Sequence, residues 1–251
     1  MHKKTYLLVV FLTYIIFSFL FPSVSADVIT GCTSINSPGV YELVSDITES
    51  DLVDSDSCIS IQANDVVLNC NNHEIRGKGL RNYGIYISRN AITTSNIKIE
   101  NCTISNWNVS NIYIRNSNGN TFHNLVLTSS SNGIYAILSS SNSISNVSIN
   151  SNSNYGIFFS SSNLNTVTDA VISGNGWGIY MLSSNSNTIS YSRIENNLNY
   201  GVYMQNSGST GKNMFFNNYF KNANLAGTLP TRNFHDGTFE TEISGEKMHE
   251  E

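Results

Sequence analysis

A short apolar-aromatic-apolar phrase recurs along this chain of 251 residues. It reads Gly84-Ile85-Tyr86-Ile87, Asn111-Ile112-Tyr113-Ile114, Gly133-Ile134-Tyr135-Ala136, Gly156-Ile157-Phe158-Phe159, Gly178-Ile179-Tyr180-Met181 and Gly201-Val202-Tyr203-Met204. The steps between first residues are 27, 22, 23, 22 and 23. A near-constant step of this size, with one strand-like phrase per repeat, predicts a solenoid of stacked strands. Side chains alternate across a strand. Ile85, Ile87 and their equivalents therefore share an inward face. Tyr86, Tyr113, Tyr135, Phe158, Tyr180 and Tyr203 point the other way.

A second segment follows in each repeat. Phe122, Ile144, Val167 and Ile189 begin it, and Leu127, Ile149, Ile172 and Ile194 close it five residues later. Leu125, Val147, Ala170 and Ser192 lie between. A period of two does not carry across a gap of three, so a bend is predicted there. Asn120, Asn142, Asn165 and Asn187 each stand two residues before this segment. Asn tolerates left-handed backbone, and stacked amides can bond from coil to coil. Gly at the head of five of the six phrases suits a sharp entry into the strand. Short strands and turns in about 22 residues fit one coil of a parallel β-helix, whereas helical solenoids need longer repeats and 3.6-residue spacing.

The N-terminus has a different composition. His2, Lys3 and Lys4 precede the apolar run Tyr6 to Phe21, and Val24-Ser25-Ala26 offers small residues for cleavage. Residues 1–26 read as a secretory signal peptide, with an uncleaved anchor as the alternative. Its removal takes Lys3 and Lys4 from 13 basic residues and leaves 11 against 18 acidic ones, a net charge of −7. So acidic a chain carries no electrostatic footprint for nucleic acid or anionic lipid. Residues 27–64 are expected to form an N-terminal cap, residues 65–222 about seven coils, and residues 223–251 an acidic tail.

Four cysteines in an exported chain point to disulfides. Cys32 and Cys58 flank the acidic N-terminal segment. Cys70 and Cys102 stand at similar places in successive coils, where they could bond or stack as buried thiols. Three connectivities are open.

The stretches Val66-Val67-Leu68-Asn69-Cys70-Asn71-Asn72-His73-Glu74-Ile75-Arg76-Gly77 and Ile97-Lys98-Ile99-Glu100-Asn101-Cys102-Thr103-Ile104, with the Gly-Ile-Tyr phrases, resemble a known family. It is the right-handed parallel β-helix group of the pectin-lyase-like superfamily. The nearest likeness is to NosD-like, carbohydrate-binding and sugar-hydrolase repeat proteins, over roughly Gly31 to Asn222. The resemblance implies an all-β, single-stranded right-handed β-helix that is secreted, periplasmic or on the cell surface. It implies a partner among polysaccharides or surface glycans. The relatives' Gly-Asn-Tyr-Trp ending is missing here, where Thr231-Arg232-Asn233-Phe234 leads into the acidic tail.

Tyr86, Tyr113, Tyr135, Phe158, Tyr180 and Tyr203 are the candidate ligand-binding residues, because sugars stack on aromatic rings. The plainer reading is a cross-strand ladder that stiffens the sheet. Glycoside hydrolysis needs two neighbouring carboxyl groups. Between Ile85 and Phe220 the chain has only Glu100, Asp169 and Glu195. Glu100 and Glu195 are expected to share a column several coils apart, and Asp169 to replace a turn Asn within diagonal reach of Arg193. No catalytic residue is assigned. A polysaccharide lyase, hydrolase or epimerase is the alternative to a binding scaffold.

The NosD likeness also raises a copper-site accessory role. Copper wants clustered Met, Cys or His. Met181 and Met204 fall on an inward column, and His73 and His123 lack a second His at ligand spacing, so no metal or cofactor is expected. Asp46, Glu49, Asp51, Asp54 and Asp56 lie in one stretch without the spacing of a calcium loop and read as a solvated acidic loop. Asn101-Cys102-Thr103, Asn108-Val109-Ser110 and Asn146-Val147-Ser148 fit the glycosylation pattern, as chance allows in a chain this rich in Asn and Ser.

Overall fold

The computed structural model describes residues 25–49, 56–89, 92–207, 212–221, 225–227 and 234–239. The expected signal peptide falls almost wholly outside them. The described chain is all-β, a parallel solenoid of about eight turns. One sheet stacks nine strands, from Thr33–Ile35 to Leu225–Gly227, and carries the Gly-Ile-Tyr phrases. A second sheet holds the strands Ile97–Ser105, Thr121–Thr128 and Ser143–Asn150 and their equivalents.

Register explains why a repeat in sequence becomes a column in space. Ile112 pairs with Ile85 and with Ile134, Ile134 with Ile157, and Ile157 with Ile179. Opposite them, Phe122, Ile144, Val167, Ile189 and Phe215 follow one another. Both columns are almost fully buried. Each buried aliphatic side chain contributes roughly 1.5–3 kcal/mol, repeated at every turn. The turn count exceeds seven because strand Gly39–Leu43 pairs with Val66–Asn69, and Thr33–Ile35 with Ser57–Ile61. Residues before 65 thus extend the same sheets. Strands Leu225–Gly227 and Phe234–Phe239 extend them beyond residue 222.

The second segment bends where the odd gap placed a bend. Asn101, Asn124, Asn146, Asp169, Tyr191 and Asn217 all hold positive φ, from 50° to 56°. Asn and Asp meet the left-handed region at low cost, and Asp169 takes the Asn position. Asn120, Asn142, Asn165 and Asn187 behave differently from the expectation in one respect. Positive φ is absent from them, and they are buried. Their amides do bond coil to coil. The Asn142 Oδ1 accepts from both the backbone N and the Nδ2 of Asn120, at 3.0 and 2.8 Å. The pattern repeats from Asn142 to Asn165, Asn187 and Asn213. A second ladder runs through Asn152, Asn175 and Asn197. The phrase-heading glycines also have another reason than the one expected. A Cβ on Gly156 would stand 2.6 Å from the Gly178 carbonyl oxygen and 2.8 Å from Ile172. Close approach, not a sharp turn, excludes larger residues there.

Two disulfides fasten the first turns, Cys32–Cys58 and Cys70–Cys102. They close loops separated by 26 and 32 residues.

Candidate ligand-binding flank

The nine-stranded sheet turns its outer face to solvent, and rings cover much of it. Tyr86, Tyr113, Tyr135, Phe158, Tyr180 and Tyr203 form one file in register. Successive centroids lie 5.3, 5.6, 4.5, 5.4 and 5.0 Å apart. Tyr86, Tyr113 and Tyr135 stack nearly parallel, at 8° and 9°. Rings stacked this way cover one another's faces, so the file is half-buried rather than an open ribbon. Phe158 is only 6% exposed, because Tyr135, Tyr155 and Tyr180 crowd around it.

A second file lies beside the first and was missed in the sequence. Tyr83, Tyr155, Trp177 and Tyr200 each precede a phrase-heading Gly. Tyr155 packs on Phe158 at 5.0 Å, and Tyr200 on Tyr203 at 5.4 Å. Trp177 stands across the first file, at 78° to both Tyr180 and Tyr203, and tilts 34° from Tyr200. Ser110 and Asn132 occupy this file between Tyr83 and Tyr155. The widest aromatic patch is therefore the C-terminal one: Tyr155, Phe158, Trp177, Tyr180, Tyr200 and Tyr203. Burial pushes the Tyr83, Tyr113, Tyr135 and Tyr180 hydroxyls above the ordinary phenol range. Neighbouring phenols add to the rise at Tyr83, Tyr135 and Tyr180, while Arg115 opposes it at Tyr113. These hydroxyls stay protonated. The Tyr180 hydroxyl donates to Gln205 Oε1 at 2.5 Å.

The carboxylates are arranged otherwise than the sequence suggested. Glu100 stands between Asn69 and His123, while Glu195 stands between Ser173 and Lys221. They occupy different columns. The cause is a shared local context: both lie in Ile-Glu-Asn triplets whose Asn has positive φ, but the triplets sit at different bends. Glu100 pairs with Lys98 at 2.7 Å. Arg193 turns to Glu195 at 2.9 Å and lies over the Tyr219 ring, not toward Asp169. Among the described residues the strand registers set no carboxylate opposite another. Asp169 is exposed at its bend, bonded to Thr168 Oγ1.

Metal chemistry finds no cluster. Among the described residues no three His, Cys, Asp or Glu side chains converge. Met181 and Met204 are buried in register with each other, inside the solenoid. His123 bonds Ser145 at 3.0 Å, and His73 bonds Asp46 at 3.1 Å. The acidic stretch is not uniformly solvated. Asp46 is exposed, and the Glu74 backbone N–H with His73 holds its carboxyl below the usual range. Glu49 is 1% exposed beside Arg81. Asp51 and Asp54 lie outside the described residues. The amides of Asn101, Asn108 and Asn146 are engaged with Asn69, Asn82 and Asn124. A depression of about 340 Å³ at the first turn, lined by Asp27, Thr33 and Tyr41 among others, is separate from the ring files.

Comparison with known proteins places the fold. No curated protein matches the sequence. Among solved structures, pectate lyase Pel9A superposes with TM-score 0.55 and 15% identity, covering 84% of this chain and 68% of that one. The enzymatically active domain of bacteriophage CBA120 tailspike protein 2 gives 0.53 and 11%, covering 84% and 39%. The Dettilon tailspike protein gives 0.52 and 13%, covering 85% and 54%. The chain thus spans about half or less of either tailspike, and at these identities the likeness is one of fold. A family model described as right handed beta helix region matches residues 34–176 and 83–241. With most of its length matched in this way, the chain belongs to the right-handed β-helix region family.

Proposed function

We propose that this protein is an exported β-helix that binds polysaccharide on its aromatic flank and does no chemistry on it. The observation that carries the reading is the C-terminal patch of six rings on an outer sheet face. Rings gathered on an outward face, where the interior has no use for them, fit a ligand with apolar faces and hydroxyl rims. The apolar N-terminal stretch and the two disulfides support export. A pectate lyase and two phage tailspikes with the same fold add support for a polysaccharide as the partner.

The test is a glycan-array screen of the chain from Asp27 onward. Tyr180→Ser with Tyr203→Ser should abolish binding while the circular dichroism stays strand-rich. Val171→Ser, on the other sheet, should leave binding intact. Equal binding by all three proteins would remove the flank from consideration. A polysaccharide lyase, hydrolase or epimerase is the second reading, favoured by the Pel9A fold match and by exposed Asp169. It requires product release from polysaccharide that is lost in Asp169→Asn.

A further inference from the structure

We infer that the aromatic flank takes an uncharged polysaccharide, laid lengthwise along the solenoid axis over the Trp177–Tyr200 end. This rests on the glycan-binding reading above and narrows it to a ligand class and a direction.

The charge pattern of the face selects the class. Strands Asn132–Ile137, Tyr155–Ser160, Trp177–Leu182 and Tyr200–Gln205 contain no acidic and no basic residue. The nearest cation in the same sheet is Arg115, one turn earlier and engaged with Tyr113. A uronate or sulfated chain brings repeated negative charges. Seating them on rings would strip their hydration with no counter-charge to replace it. The chain as a whole is acidic, −5 over its full length, so long-range attraction is also absent. A neutral sugar chain meets neither cost. It offers apolar ring faces to the aromatics and hydroxyls to the polar groups at their edge. One such group is in place: the Tyr180 hydroxyl occupies Gln205 Oε1, leaving the Gln205 NH2 as a donor.

Geometry selects the direction. Along the axis the patch repeats once per turn, with Tyr155, Trp177 and Tyr200 in one file and Phe158, Tyr180 and Tyr203 in the other. A polymer lying along the axis meets rings at every turn, spaced by about 4.8 Å: the pairs Trp177 with Tyr180 and Tyr200 with Tyr203, and Tyr155 over the buried Phe158. A polymer lying across it meets two rings and then leaves the sheet at the turn. Trp177 stands at 78° to both Tyr180 and Tyr203, so the first file's stack does not continue through its indole.

The experiment is calorimetric titration of the chain from Asp27 onward with linear gluco-, xylo- and manno-oligosaccharides of increasing length. Oligogalacturonates of matched length run in parallel. The expected result is binding of at least one neutral series, with affinity rising with length and unchanged by added salt. Trp177→Ala should weaken it by about tenfold, near 1.4 kcal/mol. Tyr200→Ala carries the same expectation and serves if Trp177→Ala fails to fold. Tighter binding of oligogalacturonates, or binding abolished by salt, would overturn the neutral class while leaving glycan binding standing. Affinity independent of length would overturn the lengthwise placement. No binding in any series, with sedimentation showing a dimer that Trp177→Ala dissociates, would overturn the glycan reading itself.

Discussion

Glu49 and Arg81 bring opposite charges to 3.7 Å in a place nearly closed to water, at 1% and 6% exposure. Glu49 Oε2 also accepts from the backbone N–H of Lys78 and Leu80, at 2.6 and 3.4 Å. The carboxylate therefore pins the loop 77–82 to the first turns of the solenoid. Its Oε1 and the Arg81 Nη2 have no hydrogen-bond partner. So closely buried a pair depends on both members.

Removing one member should be far worse than removing both. Arg81→Met leaves a buried carboxylate without a counter-charge and should cost about 3–5 kcal/mol. Adding Glu49→Gln should recover part of the loss, since the amide oxygen can still accept from Lys78 and Leu80. Urea unfolding followed by circular dichroism measures both. Equal stability of Arg81→Met and the parent would show that the pair is not closed in solution.

Glycines of two kinds should respond differently to alanine. Gly156→Ala drives a methyl into the Gly178 carbonyl and Ile172, and overpacking of this kind costs about 1–3 kcal/mol. Gly119 holds φ +66 with nothing near its absent Cβ, so Gly119→Ala should cost only the left-handed penalty of about 1–2 kcal/mol. Thermal melts decide whether the space or the backbone angle matters more. A larger loss at Gly119 than at Gly156 would contradict the close-approach account.

The buried and exposed asparagine ladders should also separate. Asn142→Ala removes the acceptor for the Asn120 N and Nδ2 and the donor to Asn165. Orphaned buried polar groups cost about 1–3 kcal/mol each, so a loss of about 3 kcal/mol is expected. Asn146→Gly removes an exposed amide at a left-handed position that glycine accepts freely. Its cost should stay within about 0.5 kcal/mol. Comparable losses in chemical denaturation would mean that burial is not what gives the inner ladder its weight.

Alkali should reach the aromatic flank late and then unfold it. Burial raises the pKa of Tyr83, Tyr113, Tyr135 and Tyr180 above the unfolded value near 10. A raised pKa in the folded state means that the contribution of these phenols is whole below about pH 10. It drains away as pH climbs through the raised values. Ultraviolet titration of tyrosinate should therefore show a fraction of the tyrosines ionising late, together with loss of strand signal. A single ordinary titration at constant strand signal would refute the half-buried placement of the rings.

The solenoid was legible in the sequence because parallel register sets Ile112 directly on Ile85 and Ile134 on Ile112. A column in space is then a period in sequence, and the outward ring file follows from simple alternation. What stayed hidden depends on backbone angles that a period does not carry. Left-handed residues at each bend reset which face comes next, so Glu100 and Glu195 looked equivalent from identical Ile-Glu-Asn triplets yet stand at different bends. The second ring file was missed for a related reason. Tyr155 and Phe158 are three residues apart, and strict alternation would put them on opposite faces, yet their rings pack at 5.0 Å. An aromatic directly before four of the five heading glycines was the available signal. The Glu49–Arg81 contact joins two loops that have no period at all.

The parallel register between neighbouring turns also governs how this molecule can change size. Copying one whole unit, such as the 22 residues from Gly156 through Trp177, would add a rung whose amides find the same partners above and below. Deleting a single residue inside a strand would instead turn every later side chain in that strand to the wrong side. Lineages of such chains should therefore differ by complete turns, and a longer descendant would carry a longer track of rings for whatever lies along it.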